Sequence, residues 1–426
     1  MSDIRKAARR FALVASTAMA VSLMTASSHA ADKVTLTFAN WAAAEGATRP
    51  GIEAVIAEFE KDNPDIQIKS EAISFSEIAR QLVLRVRSGN PPDVAEIAGN
   101  DTFLLAQTGK LEPLDGYMDA AMKGAIKPAA LQGFQVNGTL IAFPWTQAPA
   151  GFWYDKAVMQ KAGLDPENPP KTIDELMKDM AAIKKSQPDV IPLGLDTTNR
   201  AFALQSNWPW MATFGANPLD VANKGAESDA MKAYLTWMRE LAKKGYIDPG
   251  RKIGEFRPLI AQDKVAFHWD QVLLQGVIQS VNKMKDDEFY KHYGVTTQPA
   301  GSSGKSYSFE GGHQLVMFAD SAHKEAAWKF IQYLSTSPFA IENYTLRYES
   351  SLTPLEKAPS EALAKKLDTP IFNAFSDKIM GTVTTPPYGP NFAAGATAVM
   401  AGVQQAITSD TPIDEIAASI QKNLAQ

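Results

Sequence analysis

The chain has 426 residues, 45% hydrophobic and 21% charged, with 47 acidic against 42 basic side chains and a net charge of -5. That length leaves room for two or more domains, and the balance lacks the basic excess of a nucleic-acid-binding protein. No cysteine is present, which excludes a thiol nucleophile, a disulfide framework and a lipid-attachment site, and a core of this size needs no cross-links.

The first stretch, MSDIRKAARR, carries Arg5, Lys6, Arg9 and Arg10. FALVASTAMAVSLM follows as an apolar run, and TASSHA sets small Ser28 and Ala30 ahead of a cut between Ala30 and Ala31. This order of basic, apolar and small residues is that of a secretory signal peptide, and the run is too short for a bilayer span of about 20 residues. Residues 1–30 are therefore expected to be removed. The Arg9-Arg10 pair raises a twin-arginine route, though its flanks fit that signal poorly. Loss of the leader's net positive charge leaves a mature chain near -8, expected to be soluble and periplasmic.

KVTLTFANW alternates Val34, Leu36 and Phe38 as a strand does. RPGIEAVIAEFEKDNP puts Ile52, Val55, Ile56 and Phe59 on one helix face. DIQIKSEAI reads as a strand, SEIARQLVLRVRSGN as a helix stopped by Gly89, PPDVAEIAG as a strand and DTFLLAQTG as a helix ending at Gly109. The alternation predicts parallel strands with crossover helices, an α/β fold. FANWAAAEGA lacks the GxGxxG of a dinucleotide site. Farther on, KTIDELMKDMAAIKKSQP is a helix with Thr172 and Glu175 as a capping box, and SDAMKAYLTWMRELAKKG is one N-capped by Ser228 and closed by Gly245. DTTNRAFALQSNWPWMATFGANP, between them, reads as loop-rich. HYGVTTQPAG and SFEGGHQLVMFAD contain strands. SAHKEAAWKFIQYLSTSP is a helix with Ala327, Phe330, Ile331 and Leu334 inward, and TAVMAGVQQAI and PIDEIAASIQKNL close the chain as helices.

Catalytic patterns are absent. There is no GxSxG elbow, and GSSGKS lacks the spacing of a phosphate-binding loop. Beyond the leader stand His268, His292, His313 and His323. None pairs with another at i, i+4 and no HExxH occurs, so no metal or other cofactor is expected. In KVAFHWDQV, His268 beside Asp270 would suit a base and its orienter. Residues two apart in a strand share a face without close contact, however, and a packing histidine is the simpler reading.

Of the eight tryptophans, Trp237 and Trp328 fall on amphipathic helices and belong in a core. Trp41, Trp145, Trp153, Trp208, Trp210 and Trp269 fall at strand ends or in loops, which run over surfaces. An indole face suits the C–H face of a sugar ring, and about half of the six are expected to face a ligand. Asn100 and Asp101 follow the third strand at its C-terminal end, the edge where open α/β sheets bind ligands. Asp101 suits the N-cap of the next helix equally well. Glu45, in the loop after Trp41, suits a hydroxyl partner or a solvated charge, and Gln147 follows Trp145. Arg347 in YTLRYES suits a surface ion pair or, inside a cleft, an anionic ligand group.

IEAVIAEFEKDNPDIQIK, RVRSGNPPDVAEIAGND, LAQTGKLEPLD, GTLIAFPW, WYDKAVMQKAGLDPENPPKTIDELMKDMAAIKK, LIAQDKVAFHWD and GGHQLVMFADSAHKEAAWKFIQYLST, in this order, resemble the family 1 extracellular solute-binding proteins of ABC importers over nearly the whole mature chain. Tyr154-Asp155-Lys156 departs from the Tyr-Asn-Lys usual there. The resemblance implies two α/β lobes, residues 31–145 with 300–346 in one and 146–299 with 347–426 in the other. They would be joined by crossings near 143–150, 295–300 and 347–355, with the solute in the cleft between. It implies Trp269 as the stacking aromatic, Asn100 and Asp101 as a polar pair for sugar hydroxyls, Trp208 as part of the second lobe's contribution, and Gly312 in the glycine pair opening a strand.

A maltodextrin-binding member of the family carries a tryptophan in its C-terminal helical part. GATAVMAG offers none and Tyr388 is the nearest aromatic, so a mono- or disaccharide or a small derivative fits better than a long maltodextrin. The implied role is that of a monomeric receptor, not an enzyme, that closes on a carbohydrate and hands it to an inner-membrane permease. Two alternatives stand beside it. One is a receptor for a sugar acid, sulfonated sugar, glycerol phosphate or polyamine. The other is a secreted glycan-acting enzyme with Asp270 among its carboxylates.

Overall fold

Strand β1 (Val34–Asn40) alternates as its sequence requires and pairs in parallel with β2 (Ile66–Ala72) and β3 (Val94–Ala98). The computed structural model describes residues 33–132, 134–136, 138–389 and 391–425, with the backbone alone at Asn100, Ala129 and Gln132; the expected leader lies outside them. The helix Arg49–Asp62 buries Ile52, Val55, Ile56 and Phe59, the face its spacing predicts. A short ladder of β4 (Gln135–Val136) and β5 (Thr139–Leu140) precedes β6 (Phe143–Pro144). The second sheet takes β7 (Ala150–Asp155), β8 (Ile191–Gly194), β9 (Val265–Gln271) and β10 (Tyr293–Thr296) in the order β10-β7-β9-β8. The chain then returns as β11 (His313–Met317) to complete the first sheet, β2-β1-β3-β11-β6.

The expected parallel pairing holds for β1 with β2 and β3 and for β8 with β9, but β6, β7, β10 and β11 pair antiparallel. Of these, β6, β7 and β11 flank the passages between the sheets, whereas β10 is reached through the helices Leu274–Asn282 and Asp286–His292 and pairs antiparallel with β7. The first hydrophobic core draws on Leu36 to Trp145, on Leu315 to Tyr344, and on Leu355 and Leu363. A second packs around β7, β9 and the closing helices, and a third, smaller cluster surrounds β10 and residues 371–379.

Three segments run side by side between these cores. Trp145 and Thr146 donate their N–H groups to His313 O, Gln147 and Leu352 exchange backbone hydrogen bonds, and Ala150 N–H donates to Phe309 O. Val295 and Ala300, expected at a crossing, instead lie in the second sheet's neighbourhood: Val295 pairs with Trp153, and Ala300 bridges Thr172.

Local end signals behave as read. Thr172 and Glu175 form the capping box, Ser228 accepts from Met231 N, and Gly89, Gly109 and Gly245 take positive φ. The stretch read as loop-rich does not: Ala201–Thr213 is a helix, and Ala203 through Met211 are all buried. A helix enclosed on every side shows no polar face and hence no 3.6-residue period, and Pro209 within it hid the pattern further.

The six tryptophans assigned to strand ends and loops are all buried. Trp145 stacks on Tyr344 at 4.6 Å in the first core, and Trp153 donates to Asp270 O. Trp269 is 1% exposed. Its Nε1 donates to Ser206 O at 2.9 Å, and Trp210 and Phe309 lie edge-on to it at 5.7 and 6.2 Å. Its ring is a core element, not an open platform. Trp208 joins the same core. Each indole N–H that finds a backbone carbonyl removes the reason for that ring to stay at the surface.

A buried carboxylate ties the first sheet to the return strand. Glu96 Oε2 accepts from Trp41 N at 2.9 Å and Ala42 N at 3.1 Å, and Glu96 Oε1 lies 2.9 Å from His313 Nδ1. Tyr344 Oη donates to Glu349, whose other oxygen is 3.9 Å from His313 Nε2. Burial alone would lower the His313 pKa, but the charge of Glu349 and the hydrogen bond and charge of Glu96 outweigh it and raise it to about 9.

Two outcomes follow. Trp269→Ala should lower unfolding stability by about 3–5 kcal/mol in urea titrations, the cost of emptying an aromatic core site. The His313 ion pairs contribute fully below the imidazole's ordinary pKa of 6.5 and are lost as pH rises through about 9. The melting midpoint should therefore fall more steeply between pH 7 and 9.5 in the native chain than in His313→Gln.

Candidate functional site

A cavity of about 580 Å³ lies between the cores. β3 ends at Ala98, and the helix Gly99–Ala106 begins there. Gly99 and Phe103, four apart and so on one face, line the cavity from the first lobe with Phe134. Tyr388 and Thr384 line it from the opposite side. The Phe103 and Tyr388 rings lie 5.8 Å apart at 30°, and Phe392 meets Tyr388 edge-on at 4.7 Å. Thr146, Gln147, Phe309 and Glu310 form the wall contributed by the passages.

Glu310 is the central titratable group of this wall. One oxygen accepts from Ala148 N and Gly312 N, each at 2.7 Å, while the other has no partner among the described residues and is sealed from solvent. Burial, only partly offset by those two donors, pushes its pKa up to about 7. Burial likewise raises Asp101 to about 6. Burial, then the charges of Asp101 and Glu310, raise the Tyr388 hydroxyl well above the phenol range. Lys127 reaches the region from behind, with Nζ 3.4 Å from Gln147 Oε1 and 3.1 Å from Thr353 O.

The expected site residues divide accordingly. Gln147 and Tyr388 line the cavity, and Gly312 borders it through its hydrogen bond to Glu310. Asp101 occupies the first turn of the Gly99–Ala106 helix, whose cap position is Ala98, so it is not the N-cap. The Asn100 side chain lies outside the described residues. Trp41 and Glu45 stand apart from the cavity. Trp41 packs at 4.8 Å on His313, and Glu45 is exposed. Trp145, Trp208 and Trp269 are core residues. Arg347 is exposed and sits 5.5 Å over the Tyr348 ring.

The cation facing the first lobe's carboxylates is Arg257, which sequence reading missed; its charge is felt by Glu45. Arg257 is spoken for, since Nε and a terminal nitrogen contact Asp270 at 2.8 and 3.0 Å. His268 and Asp270 do touch, at 3.0 Å, because the second imidazole nitrogen is anchored on Gly194 O and turns the ring toward Asp270. Burial alone would raise the Asp270 carboxyl, but Arg257 and His268 hold it well below the carboxylate range. Phe103, Phe134, Phe309 and Glu310 also escaped notice, although Glu310 directly precedes the glycine pair.

This arrangement suits a small polar solute with an apolar face. Aromatic rings approach from both lobes, and amide, hydroxyl and carboxyl groups stand on the wall between them.

The sequence profile of the bacterial extracellular solute-binding proteins matches residues 20–339. A binding protein of Brucella abortus is 28% identical over 329 residues, 73% of this chain and 74% of that one. The sn-glycerol-3-phosphate-binding periplasmic protein of Rhizobium meliloti is 23% identical over 346 residues, 76% of each chain. Among solved structures, an ABC transporter solute-binding protein from Thermotoga lettingae bound with α-D-tagatose superposes with a TM-score of 0.76 at 22% identity, covering 92% of this chain and 100% of that one. With a profile match across most of its length and the two-lobed architecture in common, this chain belongs to the bacterial extracellular solute-binding proteins.

Proposed function

We propose that this protein captures a sugar or small sugar derivative in the cavity between its lobes and, on closing, presents it to an ABC importer in the inner membrane. The observation that carries the reading is the pairing of Phe103 and Tyr388 from opposite walls over a wall of Thr146, Gln147 and Glu310. A pyranose or furanose offers C–H faces to such rings and hydroxyls to such a wall. The tagatose complex of a structural relative agrees with it. The lobes are proposed to divide as the cores do, with segments 145–150, 308–313 and 349–355 as the connections that bend. The expected periplasmic location and monomeric state belong to the same proposal.

A charged solute is the second reading, favoured by the glycerol-phosphate-binding relative. The cavity supports an anion poorly. Glu310 lines it with Asp101 nearby, Arg257 is neutralised by Asp270, and Arg347 lies elsewhere. An enzymatic role for Asp270 is disfavoured because Arg257, His268 and Gln271 N occupy its oxygens.

A thermal-shift panel of monosaccharides, disaccharides, sugar acids, glycerol phosphate and polyamines tests the reading. A neutral sugar or amino sugar should raise the midpoint, since a ligand at a hundredfold excess over Kd stabilises by about 2.7 kcal/mol. Tyr388→Ala should weaken that binding roughly tenfold to a hundredfold at unchanged fold, a stacking contact being worth about 0.5–1.5 kcal/mol beyond its buried area. Glycerol phosphate alone raising the midpoint would overturn the sugar assignment. Recovery of a cleaved or altered sugar would overturn the receptor.

A further inference from the structure

Away from the cavity, three residues from separate parts of the second lobe converge. Asp155 ends β7, Asp263 stands in the turn before β9, and His292 ends the helix Asp286–His292 ahead of β10. His292 Nε2 lies 2.9 Å from Asp263 Oδ1 and 3.4 Å from Asp155 Oδ1, and one donor atom from each of the three residues lies within 4.8 Å of the others. Bonds of about 2.1 Å at octahedral or tetrahedral angles set neighbouring ligand atoms about 3.0–3.4 Å apart, which is the spacing around this imidazole nitrogen.

A second observation separates this cluster from an ordinary ion pair. The Asp155 side chain is fully buried. One oxygen accepts from Val158 N at 3.0 Å and faces His292; the other is sealed from solvent and accepts no hydrogen bond among the described residues. A buried, unpartnered carboxylate oxygen is costly, and an ion beside Asp263 and His292 that Asp155 held through both of its oxygens would satisfy it. His292 and Asp263 are only partly buried, which leaves an entry path from solvent. Lys161 Nζ stands 3.8 Å from the outer oxygen of Asp263, and the Tyr293 ring lies against the imidazole at 4.4 Å, so neither displaces the inward-facing atoms.

We propose that Asp155, Asp263 and His292 form a site for a divalent transition-metal ion of the zinc or manganese kind. One imidazole with two carboxylates is a donor set for such ions, whereas magnesium and calcium prefer oxygen alone. The site joins the end of β7 to the turn before β9 and the start of β10, so an ion there cross-links the outer end of the second sheet rather than entering the solute cavity. The ion must displace a proton. The hydrogen bond to Asp155, and then the charges of Asp155 and Asp263, outweigh burial and hold the His292 proton more firmly than in a free imidazole.

The test is titration of EDTA-treated, full-length protein with ZnCl2, by calorimetry at 25 °C and by thermal unfolding. One equivalent should bind, tighter at pH 8 than at pH 6, and a hundredfold excess over Kd should raise the midpoint by roughly 3 °C, reversed by EDTA. His292→Gln and Asp155→Asn should each weaken binding at least tenfold. Calorimetry on whichever variant keeps its native circular dichroism is the deciding reading. No bound equivalent in the native protein, equal affinity in that variant, or an equal response to MgCl2 would each overturn the assignment.

Discussion

The passages between the two lobes approach so closely that a single missing atom sets their packing. At Gly312 a Cβ would stand 2.1 Å from the carbonyl oxygen of Thr146 and 2.8 Å from the Gln147 Cα. No side chain fits there, so the return strand lies directly against the outgoing one. The N–H of Gly312 and that of Ala148 then converge on one oxygen of Glu310. That convergence fixes the carboxylate in the cavity wall and holds Gln147 beside it, in the cavity that Phe103 and Tyr388 also line. The site is built at the place where the chain has least freedom, as a binding constellation needs if its polar groups are to be held in place.

The same packing explains which features were legible in the sequence. Signals that act within one turn of chain were readable: the Thr172–Glu175 capping box, the Ser228 cap, the positive-φ glycines, and the faces of the helices Arg49–Asp62 and Lys324–Thr336. What depends on partners far along the chain was not. Nothing in NWPWM shows that both its tryptophans enter a core, because a helix packed on all sides carries no period. Nothing in HWD shows that Trp269 points at Ser206 while His268 is turned onto Asp270 by Gly194. Glu310 was hidden for the same reason, since its partner Ala148 lies 162 positions away. The family resemblance supplied the two-lobed architecture correctly. The resemblance also implied Trp269 as the stacking aromatic, but that ring is enclosed in the second core, where its Nε1 donates to Ser206 O.

Electrostatics narrows the chemistry further than shape does. Glu45, Glu96 and Glu349 surround His313, and burial draws both Asp101 and Glu310 toward neutral pH. Arg257, the strong cation of the region, is bound twice by Asp270. On the proposed sugar reading, the carboxyl of Glu310 in the cavity wall, with Asp101 nearby, would accept hydroxyl and amine donors and disfavour phosphate, sulfonate and carboxylate groups.

Closure of the lobes on a neutral solute is the claim on which the account stands. The cysteine-free chain allows spin labels to be placed only where wanted, at Leu84→Cys in the first lobe and Val281→Cys in the second, both exposed. Distances between the two labels, measured by pulsed electron resonance with and without the sugar that raises the melting midpoint, report the lobe separation directly. The account predicts a shorter and narrower distribution with sugar; with sugar held at the native Kd, where a tenfold to hundredfold weaker site is almost empty, Tyr388→Ala should show little of that change. An unaltered distribution in the native protein at saturating sugar, or an equal shift in Tyr388→Ala at the native Kd, would contradict it.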